Sequence, residues 1–290
     1  MANRNIEFIS APPQVHYVGD GFRVHNFIPG VSDMPRMNPF IMLDYNSPFY
    51  FEPSDTPKGV GVHPHRGFET VTIAYKGKVA HHDSAGNSGI IEEGDVQWMT
   101  AASGILHKEY HEENFSKAGG YFQMVQLWVN LPAKDKMSPP KYQSLVNQAI
   151  PKYELPENGG VVEIIAGKYE GIAGAASTFS PLHLLNAKLN IEAKATFSFP
   201  KNYHTALVVI EGKIAINGEK EAAANHFVLL GNHAESFEIA ALEKSIVLVL
   251  SGEPINEPIA AHGPFVMNTR QELVQAFQDF QQGKFGDLAE

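Results

Sequence analysis

The sequence predicts an all-β protein made of two related barrels or sandwiches, ending in one short helix. Three observations carry that expectation. Short runs rich in β-branched and aromatic residues recur along the chain, separated by Gly, Pro, Asn and Asp. Two of these runs resemble each other at a separation close to half of the 290 residues. A proline-dense stretch lies between them.

Residues 70–79 (TVTIAYKGKV) read as a hairpin, with Gly77 placed for a tight turn. Residues 206–216 (ALVVIEGKIAI) repeat the pattern. Aligning Gly77 with Gly212 sets Lys78 on Lys213 and Val79 on Ile214. Any two hairpins share such features over a dozen residues, so it is the half-chain offset that signals a duplicated domain. Residues 131–156 contain Pro132, Pro139, Pro140, Pro151 and Pro156. Prolines lack an amide donor and disfavour regular elements, which makes this stretch the natural connection between domains 1–135 and 136–290. Near the end, Thr269 with Glu272 fits a capping box. Leu273, Ala276, Phe277 and Phe280 then share a helical face and Gly283 supplies the stop, so a packed terminal helix is expected.

Composition narrows the function. Hydrophobic residues make up 43% and charged residues 19%, against ~25% charged in a typical soluble protein, so the chain has the means to build a large core. Acidic residues outnumber basic ones by 32 to 22, giving a net charge of −10 with no Lys/Arg run. That balance disfavours nucleic acid as a direct partner. No stretch approaches the ~18 apolar residues of a membrane-spanning helix. The opening MANRNIEFIS lacks the charged-then-apolar pattern of a secretion signal, which points to the cytoplasm. There is no cysteine, which removes disulfides, thiolate metal sites, iron–sulfur clusters and cysteine nucleophiles together. Thirteen histidines remain, so metal chemistry here must use imidazole, carboxylate and water.

The chemistry concentrates in two short motifs. In His63-Pro64-His65 the imidazoles stand at i and i+2, which on a strand is one face. The same spacing recurs in His107-Lys108-Glu109. Two such strands facing each other in a small barrel would bring His63, His65, His107 and Glu109 together. Three imidazoles and a carboxylate suit a first-row divalent metal, iron(II) foremost, with positions left open for water or substrate.

Longer stretches resemble a known family. His63-Pro64-His65-Arg66-Gly67-Phe68-Glu69-Thr70-Val71 resembles the signature of the pirins, a branch of the bicupins. So do Gly94-Asp95-Val96-Gln97-Trp98-Met99-Thr100-Ala101, Gly104-Ile105-Leu106-His107 and Gln126-Leu127-Trp128-Val129-Asn130-Leu131-Pro132. The likeness resumes at Gly252-Glu253-Pro254 and at 262–269 (HGPFVMNT). It implies two cupin barrels (double-stranded β-helix, jelly-roll) packed face to face, with one divalent metal in the N-terminal barrel only, held by His63, His65, His107 and Glu109. Iron(II) is the expected metal, with manganese, nickel, copper and zinc as alternatives. The family also implies quercetin 2,3-dioxygenase-like activity on a small aromatic substrate and O₂, with Glu109 as the base that takes the substrate's hydroxyl proton. The alternative is a metal- or redox-dependent regulator acting through a protein partner.

Glu69 competes for the carboxylate role, because most metal-binding cupins keep their glutamate four residues after the second histidine. Pirins use the later one. The period-2 spacing also favours Glu109, leaving Glu69 beside the ligands or in the pocket. Lys108 and Tyr110, where the family usually has a small polar residue and a methionine, are expected on the opposite strand face. Shifting the four ligands by the Gly77-to-Gly212 offset lands on Ser198, Pro200, Leu242 and Lys244, so the second copy has lost the site and His204 stands alone. His81-His82-Asp83 reads as a polar strand end, with at most one histidine turned inward. His111 reads as solvated loop. Asp95 and Gln97 read as supports for the ligands or, for Gly94-Asp95, as a turn. Phe40, Met42, Phe122, Met124 and Trp128 read as core by default, with the lining of a flat aromatic pocket as the alternative.

Overall fold

The computed structural model describes residues 3–289. Contacts group them into two units. One holds the described residues up to Pro13, Arg36–Asn38 and Gln148–Pro254. The other holds Gln14–Pro35, Pro39–Asn147 and everything from Ile255 onward. A linear cut at residue 135 therefore does not describe these groups. Ile6–Ser10 adds an edge strand to Phe227–Leu230, and the terminal helix packs on Phe265–Met267 in the second group.

The strands that matter for the site follow in chain order: β1 (Ile6–Ser10), β2 (Val15–Val18), β3 (Phe22–Ile28), β4 (Phe40–Phe51), β5 (Gly59–His65), β6 (Phe68–Lys76), β7 (Val79–Asp83), β8 (Ser88–Ile91), β9 (Val96–Thr100), β10 (Ile105–His111), β11 (Gly120–Asn130) and β12 (Lys141–Leu145). The unit with Gln14–Asn147 contains a seven-stranded sheet, β12-β9-β6-β11-β4-β3-β2, and a four-stranded sheet, β5-β10-β7-β8. The unit with Gln148–Pro254 repeats that architecture. Its seven-stranded sheet runs β1, Phe227–Leu230, His204–Glu211, Ser245–Gly252, Leu182–Leu189, Gly160–Ala166, Lys152–Leu155. Its four-stranded sheet runs Lys194–Ser198, Ser236–Ala241, Lys213–Ile216, Lys220–Ala223. All these pairings are antiparallel; β10 and Ser236–Ala241 of the four-stranded sheets alternate in burial, whereas inner strands of the seven-stranded sheets, such as β6 and His204–Glu211, are buried on both faces.

The expected hairpins are corners instead. β6 pairs with β9 and β11, whereas β7 pairs with β10 and β8, so the chain changes sheets at Gly77. His204–Glu211 and Lys213–Ile216 change sheets in the same way at Gly212. Both glycines have positive φ, 81° and 77°, a conformation that costs an L side chain dearly. The proline-rich stretch also departs from expectation. Between its prolines, Lys141–Leu145 adds to β9 as the edge strand β12, where Pro139 and Pro140 lie outside the ladder. The terminal helix, Arg270–Gln281, carries the capping box at Thr269 and Glu272 and buries Leu273, Ala276 and Asp279, while Phe280 stays 38% exposed. Among the described residues no helix is long and apolar enough to cross a membrane.

Candidate metal centre

Period-2 geometry and antiparallel register build the site. On β10, Ile105, His107, Glu109 and His111 are buried while Leu106, Lys108 and Tyr110 are not, which confirms the alternation expected around Glu109. Pairing with β5 sets His107 directly opposite His63, with Ile105 opposite His65. A bulge then intervenes before Glu109. The ring centroids lie 4.2 Å apart for His63–His107, 4.7 Å for His65–His107 and 4.8 Å for His63–His65. One nitrogen from each ring falls within 4.8 Å of the others.

The protonation chemistry of the three rings fits a cation. Burial lowers the pKa of His63 and drives those of His65 and His107 well below 6.5, so the rings are neutral at pH 7. His63 Nδ1 donates to Gly61 O at 2.8 Å, which leaves Nε2 with its lone pair free. Among the described residues, both ring nitrogens of His107 and Nδ1 of His65 are buried without a hydrogen-bond partner. Unpaired buried polar atoms cost about 1–3 kcal/mol each. A metal ion bound by these nitrogens would remove part of that penalty.

Glu109 is 7% exposed and borders the same cavity as His63 and His65, but its carboxylate stands outside the 4.8 Å histidine cluster. Burial pushes its pKa up to about 7, partly countered by Thr72. Thr72 Oγ1 lies 3.1 Å from Glu109 Oε1 and 2.7 Å from Gln126 Oε1, with one proton to give to either. Glu69 is elsewhere. Three residues from Thr72 on β6, it occupies the opposite strand face, where Thr100 Oγ1 donates to its Oε1 at 2.7 Å. It is absent from the lining of the cavity that His63, His65 and Glu109 border.

The cavity, about 360 Å³, is bordered by apolar Val24, Met42, Val60, Met124 and Trp128. Met42 and Trp128 thus form cavity wall, Met124 belongs to the buried core and also borders the cavity, and Phe40 and Phe122 are buried as expected. Trp128 stacks on Phe68 at 4.1 Å and meets the edge of His65 at 5.1 Å.

Of the other polar residues, His81 is the single histidine of its pair turned inward and Asp95 takes the turn, both as expected, whereas His111 departs from the sequence reading. His81 is fully buried and stands opposite Glu109 in register. Its Nε2 pairs with Tyr142 Oη at 2.6 Å, and burial pulls its pKa down to about 4. Its place on the inner face follows from counting two residues from Val79 along β7, but its partner Tyr142 sits on a strand that the prolines concealed. His111 is no loop residue: it ends β10, packs among the rings of Phe22, Phe51, Phe115 and Phe122, and bonds Gly21 O at 2.9 Å. Asp95 takes the turn role, accepting from the amides of Glu92 and Asn147. The terminal helix also does more than pack. Asp279 Oδ2 accepts from Arg66 Nη1 at 2.8 Å, and Arg66 directly follows His65 in the chain.

Comparison with known proteins agrees with this geometry. Residues 21–129 match the pirin family and residues 184–286 match the pirin C-terminal cupin domain. The chain belongs to the pirin family. It is 47% identical to a Pseudomonas aeruginosa protein named "Putative quercetin 2,3-dioxygenase" over 93% of this chain and 94% of the other. It is 39% identical to a pirin-like protein of Solanum lycopersicum, over 92% and 88% of the two chains. Among solved structures, the crystal structure of a quercetin 2,3-dioxygenase from Acinetobacter baumannii superposes with a TM-score of 0.93 at 45% identity, covering 99% of this chain and 100% of that one.

The second cupin of this pirin shows what replaced the histidines. With Val79 equivalent to Ile214, the pairings Val79↔His111 and Ile214↔Ala241 make His107 equivalent to Phe237 and Glu109 to Ile239. The pairings His107↔His63 and Phe237↔Phe197 then make His63 equivalent to Phe197. Phe199, whose amide bonds Glu235 O, takes the place of His65. A fixed numerical offset had pointed to Ser198, Pro200, Leu242 and Lys244. It fails because the loops between strands differ in length, so the copies align by strand pairing and not by counting. Phe197, Phe199 and Phe237 pack together with centroids 5.3–6.4 Å apart, an apolar core where the first cupin has imidazoles. His204 bonds Asn38 O through Nδ1.

Proposed function

We propose that this pirin is a metal-dependent dioxygenase of flavonol-type aromatics, with His63, His65, His107 and Glu109 holding one divalent transition metal, iron(II) by preference. The observation that carries the reading is the junction of three neutral imidazoles, those of His65 and His107 buried and that of His63 half-buried, with an apolar-walled cavity of about 360 Å³, a size suited to one small aromatic molecule. The names of its relatives supply the reaction class. Imidazoles with a carboxylate suit iron(II), and with four protein ligands such a metal keeps open positions. When bound, the metal supplies a Lewis-acidic, redox-active centre that meets O₂ and a chelating substrate together.

The chain's own residues then do three things. Trp128, Met42 and Met124 give a planar substrate apolar surface and exclude water from around it. Glu109, with a pKa pushed up to about 7, takes the proton of the substrate hydroxyl at a carboxylate oxygen, close to the pH at which a base works best. Thr72 fixes where that oxygen stands. Replacing Glu109 by Gln keeps the shape and removes the base. Glu109→Gln is expected to retain part of its metal and to lose quercetin turnover by about 100-fold or more, measured by oxygen uptake. Turnover at the wild-type rate would refute the assignment of Glu109 as the base.

A further inference from the structure

The wall of the cavity carries polar groups that neither metal binding nor proton transfer uses. On β4, Met42, Asp44 and Asn46 alternate onto the cavity side, and in register they face Trp128, Gln126 and Met124 of β11. These pairs form three successive rows. The first is at Trp128, against His65. The second is at Gln126, which shares Thr72 with Glu109. The third is at Asn46, ~7 Å further along the strand than Asp44 and ~13 Å from Met42 at ~3.3 Å per residue.

Asn46 is 2% exposed, and among the described residues neither Oδ1 nor Nδ2 of its amide has a hydrogen-bond partner. A primary amide left bare in an otherwise apolar row is a cost that folding alone does not explain. Asp44, one row closer to Glu109, is fixed from behind because Asn26 Nδ2 donates to its Oδ1 at 2.7 Å. Together they set an anchored acceptor and a free donor–acceptor pair on the same wall, away from the histidines.

Building on the flavonol reading, we propose that Asn46, assisted by Asp44, forms a polar subsite that recognises a phenolic hydroxyl on the substrate remote from the one at the metal. The amide matches a hydroxyl in both senses, donating from Nδ2 and accepting at Oδ1. The cavity between, with Met42, Trp128 and Met124 as its apolar walls, would hold the ring system that links the two hydroxyls. A site built around an unpaired polar group rejects the analogue that lacks its partner, and that makes Asn46 a determinant of specificity.

The test compares 3-hydroxyflavone, which keeps the ketone and adjacent hydroxyl but no other, with ring-hydroxylated flavonols such as quercetin, using metal-loaded protein. Wild type is expected to favour the hydroxylated compounds by about tenfold or more in kcat/KM, the worth of one neutral hydrogen bond. In Asn46→Leu, with its metal content checked, that ratio is expected to fall to near one. Equal kcat/KM for both classes in wild type, or an unchanged ratio in folded Asn46→Leu, overturns the subsite and leaves the flavonol reading standing. The wild-type comparison decides the matter even if Asn46→Leu does not fold. If wild type neither binds nor turns over any of these flavonols, the flavonol reading fails and the subsite falls with it.

Discussion

At the residue scale, the site depends on which groups are neutral before a metal arrives. His65 and His107 are held neutral by burial, so at neutral pH they give up no proton on binding. Glu109 is different, because burial raises its pKa to about 7. A protonated carboxyl must release its proton to become a ligand, so binding and deprotonation are linked. The sign follows directly: above pH 7 the carboxylate is ready, and below pH 7 each unit costs up to about tenfold in apparent affinity. Metal titrations in a non-chelating buffer between pH 6 and 8 should show affinity falling as pH drops below 7 and flat above it. Glu109→Gln should lose that dependence. A flat wild-type profile would remove Glu109 from the ligand set.

At the element scale, strand parity was legible in the chain and strand register was not. The i, i+2 spacing at His63/His65 and His107/Glu109 implied one face for each pair, and β10 alternates accordingly. Nothing local announced that β5 and β10 would pair His63 with His107, nor that a bulge would precede Glu109, because pairing partners are chosen by the whole sheet. Tyr142 was hidden for a similar reason, since prolines flank an edge strand as readily as a linker. The terminal helix was legible from its cap, but not its reach to Arg66 across more than two hundred residues of sequence.

That reach has a testable energy. The side chains of Arg66 and Asp279 are 5% and 10% exposed, and the Arg66 guanidinium lies over the Phe285 ring at 4.7 Å. Lys284 and Arg66 hold the Asp279 carboxyl well below the usual range, so the pair stays charged. Removing one partner leaves a buried guanidinium without its counter-ion. Asp279→Ala should lower stability by about 3–5 kcal/mol in urea denaturation, with Asp279→Asn losing less. A loss under about 1 kcal/mol would mean that Ser103 O and Phe285 hold Arg66 without the carboxylate.

At the scale of the whole molecule, the described residues carry two copies of one seven-plus-four-stranded architecture and, among them, a single cluster of histidines. The duplication was visible at Gly77 and Gly212 because a sheet-to-sheet corner demands positive φ, which glycine adopts most freely. The exchange of His63, His65 and His107 for Phe197, Phe199 and Phe237 was not visible by counting, since only register aligns them. It explains in physical terms why one cupin is polar at this position while its counterpart is filled with aromatic rings. The central claim is that the first copy holds a metal and the second does not, and elemental analysis of protein purified without added metal tests it most directly. The expected result is about one divalent transition-metal ion per chain in wild type, lost in both His63→Ala and His107→Ala. Metal-free wild-type protein, or loading that neither substitution reduces, would contradict it.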